Sequence, residues 1–199
     1  MNNILDIGLA DVKAMMATKS YTIFTDGKPN IVGIRNSNKD SNDSFNDVAF
    51  VWWNDAGVET AHTYTITTHP GFRYLQQPAN TDGAAILVPA QYIDCWIIRM
   101  HRNIQLALCQ DAGMVAVYRD NNKDTALDMN PATIQKGFFG IDLHHASVTD
   151  NNVIGPWSAG CQVWRYHEPH EAMISSFQSL KTKYGFSKFS YTLLKQEDF

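Results

Sequence analysis

The chain has 199 residues, 44% of them hydrophobic and 12% aromatic, which suits one full core and one compact domain, residues 1–199. A formal net charge of −4 without local Lys/Arg clusters leaves no basic footprint, so nucleic acid is set aside as a partner. No apolar run is long enough for a membrane span, and three cysteines fit reduced thiols better than a disulfide framework.

Residues 1–20 form a helical lead-in: Leu5, Leu9, Val12, Met15 and Met16 fall near helical spacing and predict a helix across 5–18. The same segment lacks the basic start and unbroken apolar stretch of a signal peptide, so a cytoplasmic site of synthesis is expected. A strand-like segment at 21–24 precedes the turn Asp26-Gly27-Lys28-Pro29, and a further strand is expected at 31–34. Residues 36–46, rich in Asn, Ser and Asp, read as a surface loop.

Short runs rich in Val, Ile, Tyr, Trp and Thr then recur at 48–53, 63–68, 84–89, 95–100, 105–109 and 114–118, punctuated by Gly, Pro, Asn and Asp. A β-type run at 137–144 leads into a long loop, and a strand at 160–165 follows it. The clearest helix is 169–184. Pro169 suits its first turn, Met173, Ile174, Phe177, Leu180 and Tyr184 form its apolar stripe, and Gly185 stops it. A last strand spans 188–194. The class is mainly β (β-rich α+β), a sandwich or barrel-like sheet with a helix near each end.

The chemistry concentrates in residues 137–165, in Gly140-Ile-Asp-Leu-His-His-Ala-Ser147 and Trp157-Ser-Ala-Gly-Cys-Gln-Val163. A Ser-small-Gly-Cys turn leaves the sulfur of Cys161 uncrowded, and backbone N–H groups at Gly160 and Cys161 can face a developing oxyanion. A thiol needs a basic partner near neutral pH, and an imidazole supplies one as a thiolate–imidazolium pair. Strand alternation puts Ile141, Leu143 and His145 on the more apolar face and Asp142 and His144 on the other, so His144 is the expected base and His145 the reserve. Ser158 either contacts substrate or shapes the turn, and Trp157 either lines the cleft or packs.

Other signals are read as structural. Cys95 and Cys109 lie inside apolar runs and are expected to pack. His167, His170, Glu168 and Glu171 decorate a helix start without a third ligand at useful spacing, so no metal is expected there. Asp120-Asn-Asn-Lys-Asp124 opens like a calcium loop, but Thr125 and Pro131 stand where Gly and Glu are needed.

The paired segments resemble the L,D-transpeptidase catalytic domain of peptidoglycan enzymes. That family carries an Ile-His-Gly-like segment followed by Ser/Thr-His-Gly-Cys and then Arg or Asn; here Leu143-His144-His145 and Ser158-Ala159-Gly160-Cys161 take these places. The resemblance implies an L,D-transpeptidase-like β-sandwich domain without a cofactor and with peptidoglycan stem peptides as its partners. It implies Cys161 as nucleophile, His144 as base and Gly160–Cys161 as oxyanion turn, and it brings the Thr68–Gly71 turn with His69 to the border of the substrate groove; Ser158 in the catalytic turn and His145 and Trp157 as substrate contacts are the further candidates. Ala159 and Gln162-Val163 depart from the family pattern, which puts the reaction itself in question.

Gly33-Ile-Arg-Asn36, Thr68-His-Pro-Gly71, Val117-Tyr-Arg-Asp120 and Ser158–Gln162 are also similar to phage and prophage wall-lytic proteins, a likeness spanning most of the chain. The expectation is therefore a cysteine peptidoglycan hydrolase of endolysin type, made in the cytoplasm and acting on the wall after release or delivery. The alternatives are a cross-linking L,D-transpeptidase and a non-catalytic virion or wall-binding protein that keeps the fold.

Overall fold

A computed structural model describes residues 3–37, 43–146 and 152–199. Among these, eight strands close into a barrel. In chain order its members are β1 (Asn30–Arg35), β2 (Asp47–Asp55), β3 (Val58–Thr67), β5 (Gln91–His101), β6 (Gln105–Cys109), β9 (Leu143–His145), β10 (Gln162–Trp164) and β11 (Phe189–Lys195). Around the barrel they run β1-β11-β5-β6-β9-β10-β3-β2. The strands β4 (Ala84–Leu87), β7 (Val115–Asp120) and β8 (Gln135–Gly137) make a separate sheet in the order β4-β7-β8. The mainly β, α+β class is as expected. Its sheet takes the closed form, which leaves the main sheet no free edge to protect.

The pattern of β2 shows why the sheet is covered on both faces. Ala49, Val51 and Trp53 join a cluster with Met173, Ile174 and Phe177 of the helix α3 (His167–Tyr184). Val48, Phe50 and Trp52 join Val12 and Met16 of the helix α1 (Leu9–Thr18) on the other face. A strand buried on both faces reads as a continuous apolar run, as 48–53 does. Each fully buried aromatic of this core, such as Trp96, Trp164 or Phe177, contributes roughly 2–3 kcal/mol from surface removed from water.

The ends of the elements follow local chemistry. The Asp11 carboxylate accepts the Gly8 N–H at 2.9 Å and caps α1, which begins later than expected, after a 3-10 turn at Ile4–Asp6. Gly185, at φ 75°, ends α3 by donating its N–H to the Lys181 carbonyl at 3.0 Å. Ala56 and Gly57, both at positive φ, make the tight turn between the paired ends Asp55 and Val58.

Two expected strands are corrected. Residues 21–24 form no strand: side-chain amides take up their backbone groups, Gln91 bonding both the N–H and carbonyl of Thr22 and Asn30 doing the same for Phe24. The run at 137–144 is two strands in two sheets, β8 and β9. Gly140, at φ 68°, breaks it, and the Gln110 Oε1 accepts the N–H groups of Phe139 and Ile141 in place of a strand partner. A short helix α2 (Phe72–Gln76), unmarked in the sequence pattern, follows the Thr68–Gly71 segment. Residues 38–42 of the polar loop and Ser147 of the histidine segment lie outside the described residues.

Candidate active site

Cys161 stands at the entrance to β10, which pairs in parallel with β9 in the register Gln162↔Leu143 and Val163↔His144. Alternation sends Trp164 and Gln162 toward the core, where the Tyr191 hydroxyl donates to Gln162 Oε1 at 3.0 Å. Cys161 and Val163 face the other way, beside Ala146, Ile154 and Phe45. On β9, Leu143 points to the core, so His144 and the adjoining Asp142 share the face of Cys161. The face assignment drawn from alternation therefore places Cys161 and His144 on the same side of neighbouring strands.

The turn that presents the sulfur is held from within. The Ser158 hydroxyl donates to the Cys161 carbonyl at 2.8 Å and accepts the Gly160 N–H at 3.2 Å. Gly160 sits at φ 134°, where a β-carbon would lie 2.4 Å from the Ala85 carbonyl oxygen. Only glycine fits there. Gln162 donates from Nε2 to the Gly160 carbonyl at 3.3 Å and so braces the turn from within. Since Gly160 N–H is engaged by Ser158, the donor left for an oxyanion is the Cys161 N–H, which has no partner among the described residues.

Cys161 lines a cleft of about 550 Å³, with Arg99, His101, Arg102, Arg119 and Asp142 among its walls. His101, at the last position of β5, donates from Nδ1 to Asp142 Oδ2 at 2.8 Å, and Asp142 Oδ1 accepts the Gln110 N–H at 2.8 Å. The His101 ring stacks on that of His144 with centroids 4.3 Å apart and planes 15° from parallel. His144 Nδ1 bonds the His145 carbonyl at 2.8 Å, leaving Nε2 without a hydrogen-bond partner among the described residues. Arg102 makes no hydrogen bond or ion pair among the described residues, whereas Arg99 pairs with Asp111 and Arg119 lies over the Phe139 ring.

The electrostatics are those of a neutral resting site. Burial, helped by the Asp142 carboxylate, pushes the Cys161 thiol up to about 12. Burial and the neighbouring His101 pull the His144 imidazole down to about 3. Asp142 is buried too, yet its bonds from His101 and Gln110 N–H carry its carboxyl below the ordinary range. Both groups are 8% exposed or less, so burial shifts each toward its neutral form.

The remaining sequence candidates scatter. His145 faces the other side of β9, toward α3, with Nε2 at 3.8 Å from Glu171 and its ring near that of His170. Trp157 packs in the apolar cluster that contains Cys161 rather than on the wall of the cleft. His69 is buried with Nδ1 on the Pro70 carbonyl, but its segment runs beside the turn, Gly71 N–H reaching the Ser158 carbonyl at 3.0 Å. Arg35 fixes this segment by donating to the Thr68 hydroxyl and carbonyl, so the Gly33–Asn36 and Thr68–Gly71 motifs meet behind the turn.

His101 escaped the sequence reading. It ends a β-type run and precedes Arg102 and Asn103, both at positive φ in the turn to β6, and only the pairing of β5, β6 and β9 brings it to Asp142. His101, Cys109 and Asp142 place their side-chain donor atoms within 4.8 Å of one another, the spacing of a metal cluster. Both carboxylate oxygens of Asp142 already hold N–H groups, and burial raises the Cys109 thiol to about 12, so this set is complete as a hydrogen-bonded network.

Compared with known proteins, the chain matches no family model, no curated protein and no solved structure.

Proposed function

We propose that the chain is a cysteine-dependent acyl-transfer enzyme that cleaves or exchanges amide bonds in peptidoglycan stem peptides, as a wall-lytic hydrolase of phage type. The observation that carries this reading is the position of Cys161 in one cleft with an imidazole–carboxylate pair and three arginines. In the proposed reaction Cys161 Sγ attacks the scissile carbonyl, the Cys161 N–H faces the oxyanion, and the thiol proton passes to an imidazole. Two imidazoles are candidates for that proton: His144, to which the motif points and whose Nε2 is unbonded among the described residues, and His101, which is paired with Asp142. Collapse expels the amine and leaves a thioacyl-enzyme, which water resolves to a hydrolysed stem or an amine to a cross-link.

The arginines favour a substrate that carries carboxylates, as stem peptides do. Arg102 in particular stands in the cleft wall with no protein carboxylate to neutralise it among the described residues. The high resting position of the thiol also favours a second reading, a wall-binding protein that keeps the site without turnover.

Incubation with muropeptides and mass analysis of the products separates them. Cleavage with gain of water that Cys161→Ala abolishes supports the hydrolase. A joined stem marks the transpeptidase, and binding without product marks the second reading.

A further inference from the structure

Resting on the reading of Cys161 as nucleophile, we infer that the imidazole carrying the charge in the reaction is His101, as the middle member of a Cys161–His101–Asp142 relay, with His144 as its stacked neutral partner. Four features of the geometry point there. His101 lines the cleft together with Cys161, whereas His144 does not. His101 Nδ1 lies 2.8 Å from Asp142 Oδ2, the arrangement that orients an imidazole.

The carboxylate is itself fixed. Gln110 N–H holds its other oxygen, and the Gln110 side chain is pinned by the Gly113 and Gly137 carbonyls and by the N–H groups of Phe139 and Ile141. This is the kind of supporting shell that keeps a reacting group in one orientation. Finally, of the two rings stacked 4.3 Å apart, only that of His101 has a carboxylate bonded to it.

The proton balance closes on His101. Nε2 takes the Sγ proton as the S–C bond forms and the carbonyl opens to an oxyanion. The imidazolium returns that proton to the leaving amine as the C–N bond breaks. Nε2 then takes a proton from the attacking water and gives it back to the sulfur as the thioester C–S bond breaks. No reactant besides water is required.

The groups facing His101 are Asp142 and His144 from the β9 segment, Cys109 from β6, Arg99 and Arg102 from its own end of β5, Arg119 from β7 and Cys161. The test is the rate of alkylation of Cys161 by iodoacetamide from about pH 4 to about pH 9, read by peptide mass mapping so that Cys95 and Cys109 are scored separately. Burial pushes the Cys161 thiol up; with His101 taking its proton, the wild-type sulfur should nonetheless be alkylated below the free-thiol range. His101→Gln should cut that low-pH rate by about tenfold or more, and Asp142→Asn should cut it less while leaving the ring in place. His144→Phe, which preserves a ring in the stack, should cut that rate less than His101→Gln does.

Loss in His144→Phe with retention in His101→Gln would overturn the inference while leaving Cys161 as nucleophile. A wild-type Cys161 that reacts only as an ordinary free thiol overturns both. Low-pH reactivity that depends on His101, without any muropeptide product, keeps the relay and removes the wall substrate. Near-ultraviolet circular dichroism checks folding, and Asp142→Asn decides the matter should His101→Gln fail to fold: an unchanged profile in that variant contradicts the relay.

Discussion

Gly160 concentrates the constraints on the nucleophile turn. Its φ of 134° and the 2.4 Å approach of the Ala85 carbonyl to a would-be β-carbon both act against any side chain. Gly160→Ala should therefore destabilise the protein by about 2–4 kcal/mol in urea unfolding and displace the sulfur from the cleft. A variant of wild-type stability would show that the turn is looser than described. His170 makes a separate residue-level case. It is buried in the apolar stripe of α3 with Nδ1 unpartnered among the described residues, and burial pulls its imidazole from 6.5 down to about 3.

The unfolded chain binds a proton at His170 between those two values and the folded chain does not. The stabilising contribution is thus whole above about pH 6.5 and is lost as pH falls toward about 3. His144 follows the same sign. Urea midpoints measured across this window should fall with acid, and His170→Gln should flatten the slope. A slope parallel to wild type would contradict the assignment.

At the level of elements, strands that alternate or run apolar between turns were legible because burial and pairing reinforce the local pattern. The run 105–109 became β6, and 48–53 lies within β2, a strand covered by α1 on one face and α3 on the other. Failures came where side chains from elsewhere decide the backbone's partners. Gln91 and Asn30 hold residues 21–24 without a strand, and Gln110 bridges the break at Gly140. Gln91 and Gln110 lie 69 and 29 residues from the groups they bind, so no local window contains their part of the signal.

The same holds for the site. Cys161 and His144 could be singled out because each sits in a short motif, and alternation put His144 with Asp142, but the register of β9 and β10 is what brings Cys161 to their face. His101 and Asp142 form a pair only through the register of β5, β6 and β9.

Over the whole molecule, barrel closure and site are one construction. β11, near the C-terminal end of the described chain, pairs in parallel with β1 and antiparallel with β5, and its Tyr191 reaches Gln162, which braces the turn before Cys161. The small sheet β4-β7-β8 supplies the opposite wall through Ala84, Ala85 and Arg119. No helix of the described residues is long and apolar enough to cross a membrane. The central claim is that Cys161 becomes acylated by a wall peptide. Its most direct test is the intact mass of the protein quenched in acid during incubation with muropeptides, followed by mapping of the modified residue. The account predicts a stem-peptide adduct on Cys161 that hydroxylamine removes, with none in Cys161→Ala. Muropeptide turnover that persists in Cys161→Ala, with no adduct on the wild-type sulfur, would contradict it.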